Sequence, residues 1–434
     1  MIRRVFTAYG TLAGLLILCV FFSWSTYHQE VPTGREGALQ LAGGLASAAK
    51  SGKRVIVVSQ PDAAESEFAD SLSTELRAAG TPPAASIKGD PPTVRESLEK
   101  LATAGSVGII ATTPACRDWA VWDSLRRLPA FARTEIRAPA AHGRSSFLSA
   151  SNLRNVADQI AVIAIIAIGM TMVIITGGID LSVGSLVALS AVIAAWLIQR
   201  WGGATATGWA MLAACALAIA AAALTGLFSG AMITTFRIPP FIATLAMMQV
   251  ASGLAFIVAR GQSIYDIPAS FTWLGRGESL GVPNSVILML AAYAAAHLYM
   301  SRSVTGRRIY AVGGNAEASR LSGVSNRRTL LFVYLVSGLA AGIGGVMTAS
   351  QLKAGAPTYG VMYELYVIAA VVVGGTSLTG GEGRIIGTLV GAFIIAVIRN
   401  GMNLMNVEPY TQKIVLGLVI LAAVLLDMIR RRKG

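Results

Sequence analysis

The chain has 434 residues, with 54% hydrophobic and only 13% charged, against roughly 25% charged in a soluble domain. Together with a mean hydropathy of +0.63, this excludes an ordinary soluble protein and implies that most of the chain is solvated by lipid. The formal net charge of +13 would suggest a nucleic-acid partner in a soluble protein. Here it fits Lys and Arg gathering in cytoplasmic loops, so no nucleic-acid partner is expected.

Cys19, Cys116 and Cys215 have no spacing of a disulfide framework or a zinc site. His28, His142 and His297 are scattered. Neither a metal nor a cofactor is expected. No phosphate-binding G-x-x-x-x-G-K-[ST] motif, H-E-x-x-H pair or nucleophile elbow is present. The chain is therefore not expected to be an enzyme or to hydrolyse ATP itself.

In chain order, residues 8–25 form an apolar run behind Arg3-Arg4. Ser23-Trp24-Ser25-Thr26 offers no small-x-small cleavage site, so the run reads as an uncleaved first transmembrane helix within 1–29. From 30 to 145 the composition turns polar and mixed in charge. Lys53 to Val58 reads as a buried strand, Ala63 to Ala79 as an amphipathic helix and Ser86 to Asp90 as a loop. Pro92 then suits a helix start that continues from Val94 to Ala104. Val107 to Thr112 reads as a second strand. Alternating strands and helices predict a small α/β unit with a parallel sheet.

From about 155 the chain is apolar again. Spans are expected near 157–177, 181–200, 207–232, 239–260, 284–301, 329–350, 363–374, 384–399 and 411–428. With the first helix they make about ten. The fold class expected is an all-α polytopic membrane protein with a small periplasmic α/β domain inserted after its first helix. An N-terminus inside and ten spans put the basic tail Arg430 to Lys433 inside as well. The same count puts the segment from Ser301 to Arg328 in the cytoplasm, and its six arginines against the single acid Glu317 agree.

The sequence echoes itself once. Gly177-Gly178-Ile179-Asp180-Leu181-Ser182-Val183-Gly184 and Gly374-Gly375-Thr376-Ser377-Leu378-Thr379-Gly380-Gly381 share G-G-x-x-L-[ST]-x-G. Internal repeats are common in transporters. Gly177, Gly178, Gly184, Gly374, Gly375 and Gly381 are structural or hinge candidates. So is Asp180, which reads either as a hinge or partner contact or as a cap at the start of the following helix, with Ser182. Pro239-Pro240 starts a helix.

Between Gly306 and Val324, Asn315 suits an N-cap, Ala316 to Leu321 a short helix and Gly323 its stop. Ala318 would allow close approach of a partner, and Arg320 could pair with a partner's acid. From spacing alone, this is equally a docking helix or a plain basic inside loop.

This segment resembles the coupling-helix region of ribose-type ABC importer permeases. So do Gly169 to Ser185, Pro240 to Leu245 and Val373 to Gly383, in order and approximate spacing, from about 146 to the C-terminus. The resemblance implies that residues 146–434 form a permease domain for ribose, xylose or a related monosaccharide, with a branched-chain amino-acid permease or a non-ABC secondary transporter as alternatives. It implies a bacterial inner-membrane location, a second permease copy or close paralogue, a pair of ABC ATPase subunits and a periplasmic sugar-binding protein. It also implies coupling contacts at Gly314, Asn315, Ala318, Leu321 and Gly323. Such permeases join the first helix to Phe147–Leu153 by a short link, whereas here about 110 residues intervene. That insert faintly resembles one lobe of a sugar-binding protein and is too short for two.

Overall fold

The computed structural model describes residues 2–103 and 106–432, and Met1, Ala104 and Lys433 lie outside the described residues. The chain separates into two compact units, one of residues 1–26 and 146–434, the other of 27–145.

The chain opens with α1 (Ile2–Ser25) and then leaves the first unit. The second unit runs β1 (Tyr27–Glu30), α2 (Gly34–Lys50), β2 (Val55–Ser59), α3 (Ala63–Ala78), β3 (Ala85–Lys88), α4 (Pro91–Ala102) and β4 (Ile109–Thr112). The turns α5 (Pro114–Arg117) and α6 (Val121–Leu125) follow, then β5 (Glu135–Arg137) and β6 (His142–Ser145). β1 and β6 pair antiparallel, closing the unit on itself. The other four strands form a parallel sheet in the order β3-β2-β4-β5.

Alternation along β2 explains why both faces of the sheet are covered. Val55 and Val57 join Leu45 of α2 and Phe68, Leu72 and Leu76 of α3 in one core. Ile56 and Val58 join Val94 and Leu98 of α4, Trp122 and Phe131 in the other. One expectation is corrected here. Residues 86–88 of the expected loop are strand, paired Val57–Ser86, Val58–Ile87 and Ser59–Lys88. Only Ile87 of this edge strand is buried, so its apolar signal is weak. Asp90 caps α4, its carboxylate accepting from the Thr93 amide at 3.1 Å, so the helix begins at Pro91 rather than Pro92.

The first unit resumes with α7 (Ala150–Ile175), α8 (Val183–Arg200), α9 (Gly208–Phe236) and α10 (Pro240–Val258). Next come α11 (Trp273–Arg276), the small pair β7 (Glu278–Ser279) and β8 (Val282–Pro283), α12 (Asn284–Arg302), α13 (Val304–Gly314) and α14 (Ala316–Leu321). The last elements are α15 (Asn326–Leu352), α16 (Tyr363–Val373), α17 (Ile385–Leu404) and α18 (Pro409–Arg432). Every expected span falls on a helix. Among the described residues, seven of these, α7 to α10, α12, α15 and α17, are long and apolar enough to cross a membrane, while 10–25, 363–373 and 409–425 are shorter apolar stretches.

Burial orders these helices. The apolar window of α7 is 89% buried, whereas those of α9 and α10 are 28% buried and present Trp209, Leu212, Phe228 and Ile257 outward. A soluble protein would hide such residues, and lipid does not require it. α15 packs on α7, α8 and α9 through small residues. A Cβ on Gly338 would overlap the Ala222 carbonyl, and one on Gly342 would stand 2.9 Å from the Ile219 Cα. Without a hydrophobic drive between helices in lipid, such close backbone packing supplies the association. α7 starts seven residues before the expected span because Ser149 caps it, accepting from the Asn152 amide at 3.3 Å. The Asn152 amide group in turn bonds the Asn400 carbonyl oxygen at 3.0 Å, and Asn400 reciprocates at 2.8 Å. A buried amide pair satisfied in this way is tolerated within the bundle.

Candidate functional site

The expected docking helix is α14. Asn315 has extended backbone (φ −157°, ψ 102°), and its side-chain oxygen accepts from the Ala318 amide at 2.9 Å. Gly323 takes φ +80°, the left-handed turn that ends a helix. Asn326 ties α14 to α15 by donating to the Ala316 carbonyl at 2.8 Å. Ala318, Arg320 and Leu321 are exposed, Leu321 at 75%. Arg320 already pairs with Glu317 of its own helix at 2.5 Å, which holds the Glu317 carboxyl below its usual range. Beside α14 lies a groove of about 230 Å³ lined by Arg308, Gly323, Arg328 and Phe332.

The residues before α14 form a helix, not a loop. In α13, Ser303 caps by accepting from the Gly306 amide at 2.9 Å. The C-terminal end of α13 reaches the rest of the unit through glycine. A Cβ on Gly313 would overlap the Ile175 carbonyl and stand 2.7 Å from the Gly381 nitrogen. The Gly381 amide donates to that same Ile175 carbonyl at 2.8 Å. The Gly381 Cβ position is 2.9 Å from the Gly314 Cα, and that of Gly380 is 3.1 Å from the Gly177 nitrogen. Gly177, Gly380 and Gly381 all have positive φ, so side chains there meet strain as well as crowding. Tyr310 closes the cluster by donating to the Gly383 carbonyl at 2.9 Å. Burial pushes its phenol up, and Arg384 draws it partly back.

The two echoed loops thus meet where Gly177 faces Gly380, and α13 meets the second of them at Gly381, but the remaining shared glycines lie elsewhere. Gly184 abuts Gly360, with Glu364 2.5 Å from its Cβ position. Gly374 abuts Gly387 and Gly391 where α16 crosses α17. The Cβ position of Gly375 is open, and its φ is +91°.

Asp180 is fully buried. One carboxylate oxygen accepts from the Ser182 amide at 3.0 Å and its hydroxyl at 2.6 Å, and the other accepts from the Ser337 hydroxyl of α15 at 2.7 Å. Asp180 therefore both turns the chain into α8 and bonds across to α15. Thr244 of α10 donates to the adjacent Ile179 carbonyl at 3.1 Å. The Gly178 Cβ position is 2.5 Å from the Tyr334 hydroxyl, a buried group without a hydrogen-bond partner. Loop 176–182 is thus gripped by α10 and α15 on one side, while at its start Gly177 lies against Gly380 and the preceding Ile175 carbonyl against Gly313 and Gly381.

Gly313, Ser337 and Tyr334 were not singled out from the sequence. The doubled glycine at 313–314 was a visible signal. Ser337 and Tyr334 lie in an apolar run and become notable only through what faces them.

The family described as "Branched-chain amino acid transport system / permease component" matches residues 152–424. The chain belongs to this permease family. It is 43% identical over 286 residues to the ribose import permease protein of Escherichia coli (strain K12), covering 65% of this chain and 87% of that one. It is 36% identical over 330 residues to the L-arabinose ABC transporter permease protein of Azospirillum brasilense, covering 74% and 94%. To the xylose transport system permease protein of Escherichia coli (strain K12) it is 33% identical over 350 residues, covering 67% and 88%. No solved structure matches.

Proposed function

We infer that this permease is the membrane-spanning subunit of an ABC importer for a monosaccharide, pentoses first. The observation that carries the reading is the match along nearly the whole length of permeases named for ribose, arabinose and xylose. In this reading α1, α7 to α10, α12 and α15 to α18 are ten spans of a bacterial inner membrane, with both termini cytoplasmic and the α/β unit periplasmic. A second permease copy completes the pathway. A periplasmic binding protein delivers the sugar, and a pair of ATPase subunits hydrolyses ATP.

The ATPase docks on α14. Gly314, Asn315, Ala318, Leu321 and Gly323 shape the contact, and Arg320 exchanges its intrahelical acid for one on the partner. The arginines beside the groove, Arg308 and Arg328, favour an acidic partner surface. Motion of α14 reaches the bundle through Gly313, because its backbone has no side chain between it and Ile175. From there, loop 176–182 passes the displacement to α10 and α15 through Thr244 and Ser337. Gly177, Gly178 and Gly381 act as joints in that route, with Asp180 as its bonded anchor. Gly184, Gly374 and Gly375 serve helix crossings and the turn beyond α16.

The test is reconstitution in proteoliposomes with the ATPase and binding protein. Labelled pentose uptake is expected, and Ala318→Asp should abolish uptake and ATPase association while leaving the permease folded. Uptake of leucine without any monosaccharide would overturn the sugar reading. Unchanged association with Ala318→Asp would overturn the docking site.

A further inference from the structure

Arginines at the inner end of a membrane helix bundle can do no more than resist translocation, and three of the six in 301–328 are already engaged within the chain. Arg307 donates to the Arg302 carbonyl at 3.4 Å, Arg320 pairs with Glu317, and Arg327 donates to the Thr235 hydroxyl at 3.4 Å. Arg308 and Arg328 differ. Both are exposed, both line the groove of about 230 Å³ beside α14, and among the described residues neither makes an ion pair. Two like charges on one groove repel each other unless an anion lies between them.

The backbone adds to that field. α13 and α15 both begin at the groove, with Thr305 in the first turn of α13 and Ser325 capping α15 by accepting from the Arg328 amide at 3.4 Å. Thr305 and Ser325 are also among the groove's lining residues. Helices of 11 and 27 residues turn the positive ends of their dipoles to it. Two guanidiniums, two hydroxyls and two helix starts match the oxygens of a phosphate group.

Size and the remaining wall say which phosphate. The groove is smaller than the roughly 300–1,000 Å³ that encloses a drug-sized ligand, so it suits a headgroup rather than a nucleotide. Its apolar wall is Phe332, whose ring stacks on Tyr299 of α12 with centroids 5.7 Å apart. Exposed apolar surface continues from there, at Leu298 beside Tyr299 and at Leu339, seven residues on along α15. Cations thus give way to an aromatic pair and then to exposed aliphatic side chains. A phospholipid presents its groups in the same order, from headgroup to acyl chain, and a tyrosine belongs at that boundary. A zwitterionic headgroup would bring its ammonium up to the same two arginines, so net negative charge is favoured. Basic pockets between membrane helices hold anionic headgroups in this way.

We propose that the groove between the starts of α13 and α15 binds the headgroup phosphate of an anionic phospholipid through Arg308 and Arg328, with the Phe332–Tyr299 pair against its glycerol and acyl portion. The proposal takes from the transport reading only that this unit spans a bilayer with α13 and α14 at its surface. A seated phosphate competes with an acidic ATPase surface for the same arginines, so the lipid composition of the membrane sets how readily the partner docks.

The test uses the full chain in nanodiscs, without ATPase, binding protein or sugar. Hydrogen exchange in 303–309 and 322–332 is compared between discs of phosphatidylcholine alone and discs that also contain phosphatidylglycerol with the same acyl chains. Phosphatidylglycerol is expected to slow exchange in both segments. Arg308→Gln and Arg328→Gln should each raise the fraction of phosphatidylglycerol needed for half of that effect by roughly tenfold. Arg307→Gln removes the same charge one residue away and should leave it unchanged. Exchange in 160–175 reports whether each variant is folded. No slowing by phosphatidylglycerol overturns the proposal, as does slowing that survives both groove substitutions or is lost equally with Arg307→Gln. If inorganic phosphate in phosphatidylcholine discs protects as well as phosphatidylglycerol does, the occupant is a soluble phosphate and the lipid assignment falls. Both leaflets of the disc carry the lipid and no transport is measured, so failure here is distinct from failure of the importer reading or of its orientation.

Discussion

The two units keep polar groups satisfied by opposite means. The α/β unit carries its charges outside, as exposed pairs such as Lys88–Asp70, Arg95–Glu99, Lys100–Glu96 and Arg144–Glu36. The permease unit's ion pairs include Arg154–Glu278 and Arg320–Glu317. Its polar work is inside. Thr171 meets Thr388 at 2.8 Å, Ser190 donates to the Gly342 carbonyl at 2.8 Å, and Asp180 takes Ser182 and Ser337. Water can replace a lost partner at the surface of the first kind of unit. Lipid cannot do so for the second, so each bond there must come from the protein and backbones must come close enough to make it.

The sharpest way to break this contrast is to fill a close approach. Gly313→Val places a branched side chain against the Ile175 carbonyl and the Gly381 nitrogen. Pentose uptake in proteoliposomes should fall below detection. Gly314→Ala, one residue on, has open space around its Cβ and should retain most of the uptake. If the two variants behave alike, glycine at 313 is a matter of helix propensity and not of contact.

That contact also marks where sequence reading stopped. Ten apolar stretches and the cap at Asn315 were legible because hydropathy and capping are local. So was part of the α/β unit, with β2 and β4 as runs of buried aliphatics. α2 was missed although Ala38, Leu41, Ala42, Leu45 and Ala49 repeat at helical spacing, since Gly37, Gly43 and Gly44 mask it. β3 was read as loop because an edge strand buries one face only. The pairing of Asp180 with Ser337, 157 residues away, and of Gly313 with Ile175 has no local trace. Both arise only when α7, α13 and α15 come together.

Asp180→Asn sharpens the contrast at intermediate size. The amide keeps one acceptor oxygen, but its nitrogen cannot accept from the serines that now bond both carboxylate oxygens. The expected cost is about 1–3 kcal/mol, seen as a lower melting temperature in detergent. Lys88→Met, at a partly exposed pair of the α/β unit, should cost under about 1 kcal/mol. Equal losses would mean that burial does not separate the two units.

Glu317→Gln is the smallest and most discriminating change, because Arg320–Glu317 is a surface pair within the permease unit. Both side chains are largely exposed, at 62% and 66%, so water screens the pair and the fold should not notice its loss. Its predicted effect is on docking. Glu317 and an acid on the ATPase would compete for the same guanidinium, and removing the internal competitor frees it. Affinity for the ATPase, measured by titration in nanodiscs, should rise by a factor of roughly two to five, the range set by a surface ion pair. The gain should shrink at high salt, where both pairings are screened. Weaker binding would instead make Glu317 itself a contact, and Arg320 would then hold Glu317 in place for the partner. Tighter binding that ignores salt would point to the lost negative charge on α14 rather than to Arg320. Arg320→Gln separates these outcomes: it should weaken docking if Arg320 is the contact and abolish the benefit of Glu317→Gln in the double variant.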